Sequence, residues 1–395
     1  MKYLKLMPFN SISNASRNLR EMSVASECGY EVYCYSADRS ISADKRDLPF
    51  TLLTDETAPF RVDAQVPHLV RVWRVFKNML AHAKRVRKLG MDVISCHNIR
   101  GLSVAWLACI GLHGSKRPKL IYDSHEFELG RNPRGRIRYG LLKWLEGFLT
   151  RRCAFVIVVN DSIGEELVRI HHLNQKPVAV RSTPEYWEID EKASLEMREQ
   201  FAEKLAVPKD AFILCYTGIF MPFRGLEQVI EAMALEKDVC AVWIGEPETA
   251  LYQGQLDALI EKNKIADRLI MYPMQPHEEL WKFISAAAAA VVMNDSRNEN
   301  YKYALPNKFF EAIQSLTPVI CSDTREMARI VNQYNVGLLV PSGDGKALAD
   351  AIRRLKNDKA LRETFRQNLK TAKRELCWEN EKRILERAYK AYLEN

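Results

Sequence analysis

The chain of 395 residues has a formal net charge of +8, with 47% hydrophobic and 27% charged residues. This composition is that of a globular protein with a packed core, and it excludes an intrinsically disordered or fibrous chain. The length predicts more than one domain.

Strand and helix patterns alternate along the chain, which is typical of parallel sheets covered by helices. The predicted strands of the first half are YLKLM, YEVYCYS, DVISCH, KLIYDSH, AFVIVVN and PVAV, with helices near residues 17–27, 68–90, 102–112, 131–152 and 163–171. After RSTPEYWEIDEK come the strands FILCYTG, VCAVWIG, LIMYP, AAAVVM, TPVICSD and GLLVP. We therefore expect two doubly wound α/β domains, residues 1–182 and 183–374, and a C-terminal helix in residues 375–395 that crosses back to the first domain.

Two basic amphipathic stretches stand out in the first half. Residues 68–90 hold seven Lys and Arg and no acidic residue, and residues 131–152 hold seven and one Glu. Residues 1–180 have a net charge of +11, whereas residues 181–395 have a net charge of −3. With Trp73, Phe76, Trp144 and Phe148 on their apolar sides, these helices could pack on the core or bind an anionic membrane surface. No nucleic-acid-binding motif accompanies the charge, so we expect no nucleic-acid partner.

The cysteines and the apolar runs indicate the cellular compartment of the protein. Nine cysteines are scattered without a CxxC pair, as is typical of reduced thiols. The N-terminal MKYLKLMPFN has no signal-peptide pattern, and LSVAWLACIGL is too short for a membrane span, which needs about 20 residues. We expect a cytoplasmic protein, either free or peripheral at the inner face of the membrane.

Polar loops follow several predicted strands, where doubly wound sheets bind their ligands. The first strand precedes NSISNAS, in which Ser13 and Asn14 could bind a ligand or only cap the next helix. KLIY precedes Asp123-Ser124-His125-Glu126, and titratable groups at a strand end indicate either a functional site or a structural histidine.

A third loop, IFMPFRGLEQ, follows FILCYTG. Gly218 permits a tight turn there, and Arg224 precedes a helix, where a guanidinium can bind a phosphate through two hydrogen bonds. The chain has no GxGxxG, P-loop or HExxH motif and no metal-ligand spacing. A dinucleotide oxidoreductase, a nucleoside triphosphatase and a protein-bound metal are therefore not expected.

The segment LPNKFFEAIQSL predicts a helix that begins at Pro306 and ends near Leu316. Its apolar stripe faces the core, and three polar residues share the opposite side: Asn307, Lys308 and Glu311. A helix N-terminus favours an anion, so these residues indicate an anion site. Taken alone, they are also compatible with a solvated Lys–Glu pair.

In chain order, YDSHE, YTGIFMPFRGLEQVIEA, LPNKFFEAIQSLTPVICSD and VGLLVPSGDGKALADAI resemble segments of glycosyltransferase family 4. The resemblance covers nearly the whole chain and implies the GT-B fold, with two facing Rossmann-like domains. It implies retaining transfer of a sugar from a nucleoside diphosphate sugar to a glycan or lipid-linked acceptor in bacterial surface polysaccharide synthesis. It implies no metal and no cofactor other than this co-substrate.

The resemblance also implies roles for individual residues. Glu311 matches a glutamate that binds the donor ribose, Arg224 a residue that contacts the diphosphate, and His125 a histidine near the donor sugar. The other implied site residues are Lys308 in catalysis, Asn307, Gly218, Gly245 and Tyr303 in donor binding, and Ser13, Asn14 and Glu126 on the acceptor side.

The chain departs from the family pattern at two positions. Tyr303 occupies the place of the first glutamate of the E-x7-E motif, and Ile219 replaces a basic residue expected after Gly218. Two other functions therefore stay open, a sugar-nucleotide epimerase of similar fold and a sugar-nucleotide-binding protein with weakened turnover.

Overall fold

The computed structural model describes residues 1–8, 16–36, 50–54, 67–130 and 135–394. Residue contacts divide the chain into two units. Unit 1 comprises residues 1–181 and 382–395, and unit 2 comprises residues 182–381. Ser13 and Asn14, which we predicted on the acceptor side, lie outside the described residues.

Unit 1 is built on a parallel sheet. Its strands are β1 (Lys2–Met7), β2 (Glu31–Ser36), β3 (Thr51–Thr54), β4 (Val93–Cys96), β5 (Lys119–Ser124), β6 (Phe155–Val158) and β7 (Val178–Ala179). They lie in the order β3-β2-β1-β4-β5-β6-β7, so the winding reverses between β1 and β4. All the strands predicted for the first half are present. The short strand β3, TLLT, was missed because two flanking threonines leave it without a distinctive apolar run.

In the described parts of unit 1, α-helices lie between these strands. They are α1 (Ser16–Glu27), α2 (His68–Lys88), α3 (Ile99–Cys109), α4 (Arg136–Thr150) and α5 (Asp161–His171). The side chains of Asn98 and Asn160 cap α3 and α5 by accepting hydrogen bonds from the N–H groups of Gly101 and Ile163. Both basic helices bury part of their surface, through Ala83 and Val86 of α2 and Leu149 of α4, whereas Trp73, Phe76 and Trp144 are exposed.

Unit 2 repeats this architecture. Its strands are β8 (Phe212–Thr217), β9 (Val239–Ile244), β10 (Leu269–Tyr272), β11 (Ala289–Val292), β12 (Val319–Ser322) and β13 (Gly337–Val340), in the order β10-β9-β8-β11-β12-β13. Its helices are α6 (Glu191–Leu205), α7 (Leu226–Leu235), α8 (Ala250–Lys262), α9 (Leu280–Ser285), α10 (Asn307–Gln314), α11 (Arg325–Tyr334), α12 (Gly345–Asn357) and α13 (Lys359–Glu375). The last helix of the chain, α14 (Trp378–Leu393), follows them. Apolar side chains fill both faces of the sheet, as parallel strands require. The prediction of two doubly wound α/β sheets is confirmed.

Helix α14 returns to unit 1, as predicted. The hydroxyl of Tyr389 lies 3.1 Å from that of Tyr3 on β1. The ring of Tyr392 stacks on Phe155 at 5.1 Å, and Lys119 Nζ donates to the carbonyl of Leu393 at 2.9 Å. The helix therefore completes the core of unit 1. Within the described part of the chain, we find no helix with the length and apolarity to cross a membrane.

Candidate active site

The N-terminal turn of α10 carries the polar residues that the sequence singled out in unit 2. Pro306 is the N-cap, so the helix starts one residue later than predicted, at Asn307. The helix ends before Leu316, which has a left-handed φ of +55°. Phe309 and Ile313 on its apolar side are buried, and Asn307 is exposed at its start. The predicted division of this helix into an apolar and a polar side is confirmed.

Lys308 is buried, with only 6% of its surface exposed. Its Nζ lies 3.7 Å from the centroid of the Tyr216 ring and has no hydrogen-bond partner among the described residues. Burial and, secondarily, the charge of Arg224 lower the pKa of Lys308 well below its usual value, while Glu311 only partly opposes them. The alternative of a solvated Lys–Glu pair is therefore wrong.

Glu311 is also buried, with 7% of its surface exposed. Its Oε2 accepts a hydrogen bond from Thr217 Oγ1 at 3.2 Å, and its Oε1 lies 3.7 Å from His277 Nε2. Thr217 ends β8, next to the point where the strand order of unit 2 reverses. Neither partner was predicted from the sequence, although the polar end of FILCYT next to a glycine was a visible signal for Thr217.

Arg224 lies in the loop between β8 and α7. Phe223, just before it, has a left-handed φ of +67°, and its carbonyl accepts a hydrogen bond from the Asp295 N–H at 3.0 Å. Gly225, just after it, has a φ of +78°, and a Cβ there would lie 2.1 Å from the Met293 side chain. This constrained backbone fixes a partly buried Arg224, whose Nε has no hydrogen-bond partner among the described residues.

Two glycines hold the ends of β8 and β9 together. The N–H of Gly218 donates to the carbonyl of Ile244 at 2.9 Å, and its φ is +110°. Gly245 has a φ of +156°, and a Cβ there would lie 2.0 Å from the Gly218 carbonyl oxygen. This close approach is sufficient reason for a glycine at Gly245. The predicted contacts of both glycines with a donor stay predictions.

Unit 1 contains a buried cluster of charged residues at the centre of its sheet. Lys5 on β1 places Nζ 2.5 Å from Glu21 Oε2 and 3.2 Å from Asp123 Oδ2. Arg17 places Nε 3.0 Å from Glu21 Oε1 and Nη2 3.3 Å from Asp123 Oδ1. Burial would raise the pKa of Asp123, but the hydrogen bond from His125 and the charges of Lys5 and Arg17 hold it well below its usual value.

This cluster orients His125. His125 Nε2 lies 2.5 Å from Asp123 Oδ2, and because an ionised carboxylate only accepts, Nε2 carries the proton. Burial lowers the pKa of His125 to about 4, and the charge of Asp123 opposes this only in part. The ring centroid of His97 is 3.9 Å away, and burial together with His125 lowers the pKa of His97 to about 2. His125 is therefore a neutral imidazole with an unprotonated Nδ1.

His97, Asp123 and His125 place their ligand atoms within 4.8 Å of one another, which is close enough for a metal ion. The sequence does not reveal this group, because His97 follows β4 whereas Asp123 and His125 lie at the end of β5. The Asp123 oxygens already contact Lys5 and Arg17, so a divalent cation would lie beside two fixed positive charges. The geometry therefore favours an ion-pair network. Glu126, predicted on the acceptor side, is partly buried, and its carbonyl accepts from Ser124 Oγ at 3.0 Å.

Two family models match the chain in succession. The model described as Glycosyltransferase Family 4 matches residues 23–183. The model described as Glycosyl transferases group 1 matches residues 197–372, which include α10 and its polar turn. The chain belongs to the family 4-like glycosyltransferases.

Two relatives illustrate the range of this family. The chain is 25% identical over 241 residues to alpha-D-kanosaminyltransferase of Streptomyces kanamyceticus, with 59% of each chain covered. It is 31% identical over 160 residues to the lipopolysaccharide core biosynthesis glycosyltransferase LpsD of Rhizobium meliloti, covering 40% of this chain and 43% of the relative. The chain thus spans less than two thirds of the length of these curated relatives.

The solved structure of Alr3699/HepE from Anabaena in complex with UDP has a similar fold, with a TM-score of 0.74. The two chains are 15% identical, and the match covers 99% of each. The fold of this glycosyltransferase is GT-B, as the sequence resemblance implied.

The two departures from the family pattern can now be placed in the structure. Tyr303 ends a short 3-10 turn, Tyr301–Tyr303, and is partly buried. Glu299, the nearest preceding acid, is exposed and pairs with Lys302 at 2.5 Å, so it does not take the place of the missing glutamate. Ile219 is exposed, and its carbonyl accepts a hydrogen bond from the Tyr216 hydroxyl at 3.2 Å. Both positions thus present an uncharged side chain.

Proposed function

We propose that the protein transfers a sugar from a nucleoside diphosphate sugar to a glycan or lipid-linked acceptor, with retention at the anomeric carbon. The observation that carries this proposal is the buried Nζ of Lys308, which has no hydrogen-bond partner among the described residues. A buried ammonium group without a partner is unfavourable, and a diphosphate would supply acceptors and favour the charged form. The UDP complex of the similar Alr3699/HepE structure supports a nucleoside diphosphate as the ligand.

The contacts within unit 2 support the proposed donor-binding roles. Arg224 has a partly buried guanidinium whose Nε lacks a hydrogen-bond partner in the described chain, so it suits a second phosphate contact. Glu311 is held by Thr217 and can accept further hydrogen bonds, as binding of ribose hydroxyls requires. Asn307 and Tyr303 are proposed as neighbouring donor contacts, and Gly218 and Gly245 as the turn that lets the donor approach the backbone.

The proposed reaction needs no general base from the protein. The bond between the anomeric carbon and the phosphate oxygen breaks while the acceptor oxygen bonds to that carbon from the same face. The acceptor proton passes to the leaving phosphate oxygen. Negative charge develops on the diphosphate, where Lys308 and Arg224 would stabilise it without a protein-bound metal.

His125 is proposed to position the transferred sugar. Its Nε2–H is engaged by Asp123, so its Nδ1 is left as an acceptor for a sugar hydroxyl. Since Lys5 and Arg17 fix Asp123, the orientation of the imidazole is set before the donor binds. Glu126 is proposed as a contact on the acceptor side.

We further propose that the reaction takes place at the cytoplasmic face of a membrane, in the synthesis of a surface polysaccharide. The nine cysteines are all free thiols, which suits a reducing compartment. A relative named for lipopolysaccharide core biosynthesis supports a membrane-associated glycan as the acceptor. The excess of basic residues in the first half suits an anionic membrane surface as a partner.

The proposal is tested in two steps. A thermal-shift panel of UDP, GDP, ADP, CDP and dTDP identifies the base, because a bound ligand raises the melting temperature. The corresponding sugar nucleotides are then incubated with lipid-linked glycan acceptors, and the released nucleoside diphosphate and the anomeric configuration of the product are measured. An isomeric sugar nucleotide as the product would indicate an epimerase instead. Binding without release of nucleoside diphosphate under every acceptor would indicate a protein that has lost turnover.

A further inference from the structure

Helix α4 carries an apolar stripe on its solvent side. At about 100° per residue, the exposed Ile137, Leu141 and Trp144 lie within an arc of about 60°, and the partly buried Phe148 continues this stripe toward α3. Ile137 is 88% exposed and Trp144 is 61% exposed. Glu146 and Thr150, which are buried, point about 180° and 140° away from Ile137. The stripe therefore faces away from the core that the other side of the helix contacts.

The first half of α2 has the same character. Val72, Trp73, Phe76 and Leu80 are all exposed and fall within an arc of about 100°. The Trp73 and Phe76 rings contact each other at 6.4 Å. Further along, the same side of the helix enters the core through Ala83 and Val86. The apolar side of α2 is thus continuous but is covered only in its second half.

Both helices lie on one face of the unit 1 sheet. Connections between parallel strands are right-handed, so the crossovers β3–β4, β4–β5 and β5–β6, which run in the same direction, place α2, α3 and α4 on the same side. The contacts agree, since α3 packs against α2 and against α4. Trp106 of α3 touches Phe148 of α4, with ring centroids 5.2 Å apart.

The basic residues around these stripes favour a partner with negative charge. Helix α2 contains no acidic residue, and the single acid of α4, Glu146, is buried against Tyr122 and His171. Arg136, Arg138 and Lys143 are exposed beside the α4 stripe. A second copy of the chain would bring like charges together, because a two-fold interface pairs the same surface. An anionic bilayer offers both acyl chains for the aromatic and aliphatic side chains and negative headgroups for the cations.

We propose that the exposed stripes of α2 and α4 insert into the interfacial layer of an anionic lipid bilayer. Trp73 and Trp144 suit this depth, where an indole ring has both apolar surroundings and water. Arg74, Lys77 and the basic residues beside the α4 stripe contact the lipid headgroups. The inference rests on the proposed function in one respect: membrane binding would bring the enzyme to its lipid-linked acceptor.

Vesicle flotation of the full-length protein without donor or acceptor tests the inference separately from the transfer reaction. We expect the wild type to float with phosphatidylcholine vesicles that contain phosphatidylglycerol and to float less with phosphatidylcholine alone. The triple variant Ile137→Ser/Leu141→Ser/Trp144→Ser should lose about tenfold or more in vesicle partitioning, because it removes three inserting side chains. The variant Arg136→Gln/Arg138→Gln/Lys143→Gln should lose the preference for the anionic vesicles.

Matched controls come from exposed side chains of unit 2. Leu195→Ser/Leu251→Ser removes two exposed leucines, and Lys346→Gln/Arg354→Gln/Lys359→Gln removes three exposed cations; both variants should float as the wild type does. Circular dichroism melting checks that each variant is folded. The inference is overturned if the wild type does not bind anionic vesicles, or if the stripe variant floats equally well. A wild-type dimer in light scattering that the stripe variant converts to a monomer would also overturn it, since a second copy would then cover the stripe.

Discussion

The ammonium group of Lys308 lies over the face of Tyr216, with Nζ 3.7 Å from the ring centroid. An aromatic face attracts a cation but leaves its N–H donors free of conventional acceptors. The contact therefore keeps Lys308 in place in a buried position while its donors stay available. A carboxylate at the same distance would have occupied them.

Replacing Lys308 by methionine separates its binding role from its structural role. We expect Lys308→Met to leave the free energy of unfolding unchanged or to raise it by about 1 kcal/mol, because a buried amino group without a hydrogen-bond partner becomes an apolar side chain of similar length. Transfer should fall about 100-fold or more in kcat/KM. Urea unfolding and initial rates measure the two effects. Lys302→Met, at an exposed lysine, is the control and should behave as the wild type. A destabilised variant with normal transfer would contradict the phosphate role.

Arg224 should distinguish phosphate from nucleoside. We expect Arg224→Ala to weaken binding of the cognate nucleoside diphosphate about tenfold or more, since charge-assisted hydrogen bonds to phosphate are lost. Binding of the bare nucleoside should change little. Isothermal calorimetry with both ligands measures the difference. Arg297→Ala removes a nearby exposed arginine that pairs with Asp295 and should leave both affinities intact. Equal losses for the two ligands after Arg224→Ala would show that this side chain does not contact phosphate.

Glu311→Ala should abolish detectable transfer and lower the melting temperature by only a few degrees. The stability loss of about 1 kcal/mol comes from the Thr217 hydroxyl, which loses its buried acceptor. Thr217→Val in the same chain should therefore restore most of the stability without restoring nucleoside binding. Thermal melts and nucleoside titrations of the single and double variants measure these effects. Full activity of Glu311→Ala would refute its assignment to the donor.

The stability contributed by neutral His125 should depend on pH. Its pKa in the folded protein is about 4, against an ordinary value of 6.5, so the unfolded chain takes up the proton first as the pH falls. The contribution is fully present above pH 6.5 and is lost between 6.5 and about 4. When the pH falls from about 7 to about 5, the wild type should therefore lose about 2 kcal/mol of unfolding free energy relative to His125→Gln.

Denaturant unfolding at several pH values measures this shift, with His113→Gln as a control at an exposed histidine. A flat difference for His125→Gln would mean that its pKa is not depressed.

The periodicity of the sequence was enough to predict the strands and to place Lys308 and Glu311 on one side of α10. Their burial could not be predicted, because it depends on Tyr216 and Thr217, which come from a strand far away in the chain. The cluster of charged residues around Asp123 could not be predicted for the same reason. Lys5 meets Asp123 only because β1, β4 and β5 are neighbours in the sheet, and strand order is not visible in local patterns.

For the basic helices α2 and α4, the sequence predicted the helices but not the exposure of their apolar residues. Their amphipathic pattern was clear, but a pattern reveals only that an apolar side exists and not what covers it. For α4 the exposed stripe lies opposite the side that carries the buried Glu146, Leu149 and Thr150. That distinction required the positions of the neighbouring helices.

The return of α14 has a consequence for the order in which the protein can mature on the ribosome. Tyr389 fills the space between Tyr3 and Tyr30, yet all of unit 2 is synthesised before it. Unit 1, although made first, therefore still lacks a helix when the last residue of unit 2 is added. A nascent chain halted after Glu381 would expose the aromatic surface around Tyr3 and Phe155, which is the kind of surface that chaperones bind.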